Sequence, residues 1–67
     1  SYPAVQLDEG DARRLVQGQR VPWHGADMPL CRVRWGAELL ALGRSQEGTL
    51  APRRVFVSGI EALEQTG

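Results

Sequence analysis

Hydrophobic and polar side chains alternate along most of this chain, and a period of two is typical of β-strands. The clearest case lies in residues 30–35, where Cys31, Val33 and Trp35 face one way and the intervening arginines face the other. Segments rich in glycine and proline separate this stretch from its neighbours. The pattern predicts strands at about residues 5–7, 19–23, 30–35, 38–44 and 49–57.

One segment has helical periodicity instead. An apolar stripe at i, i+3 and i+4 predicts a helix over about residues 9–17. The stripe consists of Ala12, Leu15 and Val16. Asp8 is placed to cap the helix N-terminus, and Gly18 is placed to end it in a left-handed conformation. Arg13 and Arg14 lie off the stripe.

The resulting order is β-α-β-β-β-β with short connections, which predicts a mainly β fold with one or two short helices. Short strands joined by glycine turns favour a small barrel or packed sheet. A chain of 67 residues forms one domain, with an expected core at about residues 4–57. Residues 58–67 are expected to form a tail or a short helix.

The zero net charge hides an uneven distribution. Residues 1–11 carry three acids, residues 12–57 carry all eight arginines against three acids, and residues 58–67 carry two acids. A basic middle suggests a local surface for an anion, and arginine binds phosphate in a bidentate manner that lysine does not match. Genomic preference for arginine over lysine is the alternative explanation.

Residues suited to catalysis or metal binding are few. His24, Asp27 and Cys31 lie on a predicted loop and strand start, and this trio does not have zinc-site spacing. We therefore expect no metal, no small-molecule cofactor and no catalytic residue. Trp23 and Trp35 could stack on bases, but core packing is the favoured role for both. No apolar run approaches the roughly 18 residues of a membrane span.

The segment LAPRRVFV, residues 50–57, contains a proline and two adjacent arginines within a predicted strand. Pro52 indicates a strand edge or a bulge, because it cannot donate to the ladder. By regular alternation, Arg53 shares a face with Val55 and Val57, and Arg54 shares the opposite face with Phe56.

Two stretches of the chain resemble a known family. LLALGRSQEGTLAPRRVFV, residues 39–57, is similar to the end of the C-terminal PUA-like domain of the bacterial tRNA pseudouridine synthase B (TruB) family. Residues 7–22 resemble the opening helix and second strand of the same domain. The positions that match there are Leu7, Asp8, Ala12, Leu15, Gly18, Gln19, Val21 and Pro22.

The resemblance implies a PUA-type pseudobarrel that binds RNA and is a fragment of a larger cytoplasmic enzyme. Its implied partners are tRNA and a catalytic domain of the same polypeptide, which converts a T-loop uridine to pseudouridine and holds the catalytic aspartate. This chain alone is then not an enzyme. Carried over by position, the RNA-facing residues are Arg13, Arg14, Gly18, Gln19, Arg20, Arg53 and Arg54.

A regular strand would send only one arginine of the adjacent pair to the surface that Arg20 occupies. We therefore expect one of Arg53 and Arg54 to reach RNA and the other to brace the fold. The alternative is a docking appendage that stabilises the catalytic domain, with one arginine paired internally to Glu38 or Glu47.

Overall fold

A computed structural model describes residues 2–65 of the chain. Five strands and two helices occupy this part of the sequence. In chain order they are β1 (Ala4–Gln6), α1 (Glu9–Val16), β2 (Val21–Pro22), β3 (Met28–Trp35), β4 (Glu38–Gln46), β5 (Thr49–Val55) and α2 (Val57–Glu64). The predicted mainly β fold and the order of its elements are confirmed.

The five strands form one sheet in the order β1-β3-β4-β5-β2. β1 runs parallel to β3, and every other neighbouring pair is antiparallel. The sheet curls into half a barrel, as a small pseudobarrel requires. Pro22 lies on the two-residue edge strand β2, where a residue without an N–H is tolerated.

Helix α1 begins and ends where its flanking residues predict. The Asp8 carboxylate accepts a 2.9 Å hydrogen bond from the Asp11 N–H, so Asp8 is the N-cap. At the other end Gly18 has a φ of 89°, and its N–H donates to the Leu15 carbonyl. Gln19 N–H donates to the Arg14 carbonyl, which completes a Schellman motif. The chain thereby leaves the helix and turns directly into β2.

The core lies between the concave face of the sheet and the two helices. It includes Leu15 of α1 and Leu63 of α2, so both helices contribute to it. Both tryptophans, Trp23 and Trp35, are partly buried against it, as predicted. The buried apolar side chains are Val5, Ala12, Leu15, Val21, Cys31, Val33, Leu40, Ala41, Leu50 and Leu63.

The end of the last strand differs from the prediction. β5 stops at Val55, and Val57 is 69% exposed at the start of α2 rather than on a strand face. Helix α2 can lie close to β4 because Gly59 has no side chain. A Cβ at position 59 would be 2.7 Å from the Leu40 Cα. The apolar segment VFV, residues 55–57, predicted that the strand would continue to Val57. Tertiary packing instead starts a helix there.

The connection between β4 and β5 is shorter than predicted. Residues 45 and 46 belong to β4, so only Glu47 and Gly48 connect it to β5. Both have positive φ, at 52° and 81°, which is the conformation of a type I′ hairpin turn.

Candidate nucleic-acid interface

The seven residues expected to face RNA lie in three places: helix α1, the outer face of the sheet and the α1–β2 junction. Arg13 and Arg14 lie on helix α1, and both are engaged there. Arg13 forms an i,i+4 ion pair with Glu9 and donates to the Leu63 carbonyl at 3.1 Å, so it connects the two helices. Arg14 forms an i,i+3 ion pair with Asp11 at 3.2 Å.

Arg20 belongs to a second group on the outer face of the sheet. Val21 pairs with Leu50, so extending this register by one residue places Arg20 beside Ala51. Arg44 of β4 pairs with Ala51 from the other side. The small Ala51 side chain therefore lies between two arginines, and this leaves a hollow between their side chains.

A β-bulge in β5 determines where the arginine pair lies. Gly43 pairs with Pro52, and the preceding residue of β4, Leu42, pairs with Arg54, so β5 contains one extra residue at this point. Arg54 consequently lies on the same face as Leu42. Arg53 reaches that face as well, because it lies two positions after Ala51 and strand residues two positions apart share a face. The bulge predicted from Pro52 is confirmed.

Both members of the pair are exposed on the outer face. The expectation that only one of them shares a surface with Arg20 is wrong, because it assumed regular alternation through the bulge. Arg54 also packs against its neighbour, with its guanidinium carbon 5.7 Å from the centre of the Phe56 ring.

The outer-face arginines border a shallow depression of about 520 Å³. We call this depression the arginine hollow. Its lining residues are Arg20, Arg44, Gln46, Glu47, Thr49, Ala51 and Arg53. Glu47 is the one carboxylate among them, and Gln46 and Thr49 add neutral hydrogen-bonding groups.

The eight arginines differ in whether they already have partners. Arg32 donates to the Tyr2 carbonyl and Arg34 to the Ala37 carbonyl, in addition to the two engaged arginines of α1. Within residues 2–65, no hydrogen bond or ion pair engages the guanidinium groups of four others. These four are Arg20, Arg44, Arg53 and Arg54. Their donors remain available to a ligand.

Gly18 and Gln19 lie at the α1–β2 junction, immediately before Arg20. A Cβ at position 18 would meet no atom within 4 Å, so the backbone here is open to an approaching molecule. The Gln19 amide donates to the Gln17 side chain at 3.4 Å and is exposed.

Sequence reasoning missed Arg44. Its signal was the alternation in β4, where Gly43 and Ser45 are buried and Arg44 and Gln46 are exposed. That alternation predicts an outward arginine, but its place beside Arg20 depends on the pairing of β4 with β5 and of β5 with β2.

The remaining candidate chemistry lies elsewhere. Cys31 is buried, and burial raises the pKa of its thiol, which donates to the Gly43 carbonyl. This favours the unreactive protonated form. Across the described part of the chain, no three His, Cys, Asp or Glu side chains are grouped to hold a metal. Neither described helix has the length and hydropathy needed to span a bilayer.

Convergent arginines with free donors define a small β domain suited to binding phosphate groups. The family model described as "Pseudouridine synthase II TruB, C-terminal" matches residues 3–56. This chain belongs to that family.

Curated relatives agree with this membership. The chain is 37% identical to tRNA pseudouridine synthase B of Burkholderia lata, over 87% of this chain and 20% of that protein. It is 38% identical to the protein of the same name from Bradyrhizobium diazoefficiens, over 90% of this chain and 19% of that protein. It is 40% identical to tRNA pseudouridine synthase B of Rhodopseudomonas palustris, over 90% of this chain and 18% of that protein. The chain thus spans about a fifth of the length of the relatives it matches.

Proposed function

We propose that this chain is an RNA-binding module of PUA type that holds tRNA for the catalytic domain of a tRNA pseudouridine synthase in the bacterial cytoplasm. The observation that carries the proposal is the arginine hollow together with Arg54. Four guanidinium groups lie there with free donors, on the outer face of one curled sheet. The names of the relatives supply tRNA as the RNA and pseudouridine formation as the reaction of the whole enzyme.

The composition of the surface favours contact with the RNA backbone. Arginine forks match the geometry of phosphate oxygens, and phosphate contacts supply most of the affinity of such modules. Both tryptophans are partly buried against the core, which favours a packing role over stacking on bases. A folded tRNA presents duplex stems, which proteins recognise largely through shape, phosphates and 2′-hydroxyls. The module would therefore position tRNA without reading its sequence.

The α1–β2 junction leaves room for the RNA backbone to approach the protein. Gly18 leaves open space beside the peptide, and Arg20 follows it directly onto the outer face of the sheet. A phosphate near the junction would meet the exposed Gln19 amide and the Arg20 guanidinium together. Gly18, Gln19 and Arg20 therefore form one side of the proposed tRNA surface, while Arg44, Arg53 and Arg54 form the other.

The decisive experiment removes the arginine pair of the bulge. Binding of the R53A/R54A variant to an unmodified tRNA transcript is measured across a series of salt concentrations. We expect affinity to fall about tenfold and the salt slope to decrease by about one for each phosphate that is no longer neutralised. The change is local, because both side chains are exposed and neither supports the core.

A charge-matched control is R32A/R34A. These arginines also lie on the sheet, but their guanidinium groups are engaged with backbone carbonyls. We expect a smaller loss of affinity for this control. If R53A/R54A binds tRNA with unchanged affinity and salt slope, the proposal is wrong, and the docking alternative would account for the outward arginines.

A further inference from the structure

The loop between β2 and β3 is attached to the tip of the β4–β5 hairpin, which borders the arginine hollow. Trp23 N–H donates to the Gly48 carbonyl at 2.9 Å, and the Trp23 indole N–H donates to the Ala26 carbonyl at 3.0 Å. The indole lies directly over Gly25, where a Cβ would be 2.4 Å from the ring. Residues 23–27, which we call the clip, are therefore folded tightly against the hairpin.

Ser45 fixes the other end of the clip. Its hydroxyl donates to the Ala26 carbonyl and accepts from the Met28 N–H, both at 2.8 Å. Ser45 is 1% exposed. Its two hydrogen bonds join β4 to Ala26 within the clip and to Met28 just after it. A buried hydroxyl with its donor and acceptor both satisfied holds a single geometry.

The hairpin turn itself is strained. Glu47 has a φ of 52°, a region that glycine, asparagine and aspartate tolerate better than glutamate. Its N–H donates to the Asp27 carboxylate at 3.1 Å. Asp27 thus holds the strained residue in place from across the gap between clip and hairpin.

We propose that Asp27 is a positioning residue for the arginine hollow. It acts through the Glu47 N–H, which fixes the hairpin tip that carries Gln46, Glu47 and Thr49 on the border of the hollow. Neither its side chain nor the clip lines the hollow, so its effect on a ligand passes through the geometry of the turn. This inference rests on the proposed function, because the ligand used to test it is tRNA.

The test compares Asp27→Ala with Asp27→Asn. Both variants remove the same negative charge, so any electrostatic effect on an anionic ligand is equal in the two. Asparagine keeps a side-chain oxygen that accepts from the Glu47 N–H, whereas alanine does not. The difference between the two variants therefore isolates the hydrogen bond.

We expect the Glu47 amide to exchange with solvent about fivefold faster in Asp27→Ala than in Asp27→Asn, as measured by NMR. We expect tRNA affinity to be about threefold weaker in Asp27→Ala, with an equal salt slope in the two variants, since every phosphate keeps its arginine partner. Asp27 is exposed, and thermal unfolding of both variants checks that each is folded.

Two results would overturn the inference. Equal Glu47 exchange in the two variants would mean that Asp27 does not hold the turn. Faster exchange in Asp27→Ala with equal tRNA affinity would mean that the turn does not position the hollow. Failure of the proposed function has a different signature, because R53A/R54A would then leave tRNA binding unchanged whatever the Glu47 amide does.

Discussion

The arginines of helix α1 and those of the outer sheet face have different surroundings, although one resemblance assigned both groups to RNA. Arg13 and Arg14 each lie one helical turn from a carboxylate and form ion pairs with it. On the sheet face, three of the four arginines border the hollow, and the one carboxylate that lines it is that of Glu47. A phosphate must compete with the carboxylates on the helix, whereas on the sheet it meets free donors. Residue type alone therefore does not separate the two groups; their existing partners do, and these favour the sheet face as the proposed tRNA surface.

The two groups of arginines are also expected to have different roles. Arg13 joins α1 to α2 through the Leu63 carbonyl, so its removal should affect folding. Arg20 and Arg44 border the hollow, so their removal should affect binding. Variants that change stability or tRNA affinity can test this division, and the variant with the largest expected effect comes first.

The packing of α2 against the sheet should be the most sensitive feature. We expect Gly59→Ala to lower the free energy of unfolding by about 2–3 kcal/mol, because the added Cβ would be 2.7 Å from the Leu40 Cα. Urea unfolding measures the change. Gly10→Ala is a matched control in α1, where the nearest atoms would be 3.7 Å away, and it should be stabilising by up to about 1 kcal/mol. An unchanged Gly59→Ala midpoint would show that α2 does not depend on this close approach.

The two arginine groups are compared directly by R20A/R44A and R13A/R14A. Each double variant removes two positive charges. We expect R20A/R44A to weaken tRNA binding about tenfold, which corresponds to about 1.4 kcal/mol. R13A/R14A should weaken it about twofold, through the general reduction in positive charge. Affinities measured at one salt concentration suffice, and equal reductions would remove the distinction drawn between helix and sheet.

Arg13→Ala should destabilise the fold while Arg20→Ala should not. We expect a loss of about 1 kcal/mol for Arg13→Ala, mainly from the hydrogen bond to the Leu63 carbonyl. The ion pair with Glu9 adds little, since 38% of the Arg13 side chain is exposed. Thermal unfolding checks both variants. A larger loss for Arg20→Ala would contradict the assignment of Arg20 to binding.

Arg14→Ala should change stability least. Its ion pair with Asp11 is exposed and close in sequence, so the expected change is within about 0.5 kcal/mol. A loss as large as that of Arg13→Ala in thermal unfolding would mean that pairing along α1, rather than the connection to α2, stabilises the helix.

Features set by local chemistry could be predicted from the sequence. Asp8 caps α1 and Gly18 ends it, because each depends on neighbours within a few residues. The apolar stripe and the outward arginines of β3 followed for the same reason. Features that depend on pairing between distant strands could not be predicted. Arg44 lies near Arg20 only because of the registers of β4 with β5 and of β5 with β2. The bulge in β5 places Arg54 on the outer face, where regular alternation would not.

Val57 shows a different reason why a prediction from the sequence fails. Its alternation with Phe56 matched a strand, but the close approach of Gly59 to Leu40 allows a helix there instead. The clip is a third case, because the role of Asp27 depends on a turn 20 residues away.

The bulge in β5 has a consequence for charge density. Residues that share a face of a regular strand are two positions apart, or about 6.6 Å along the chain. Arg53 and Arg54 share a face while their Cα atoms are about 3.8 Å apart, the distance between neighbours. One inserted residue therefore nearly doubles the positive charge per unit length at this point, without lengthening the sheet. A deletion of one residue here would regularise the strand and remove half of that local charge.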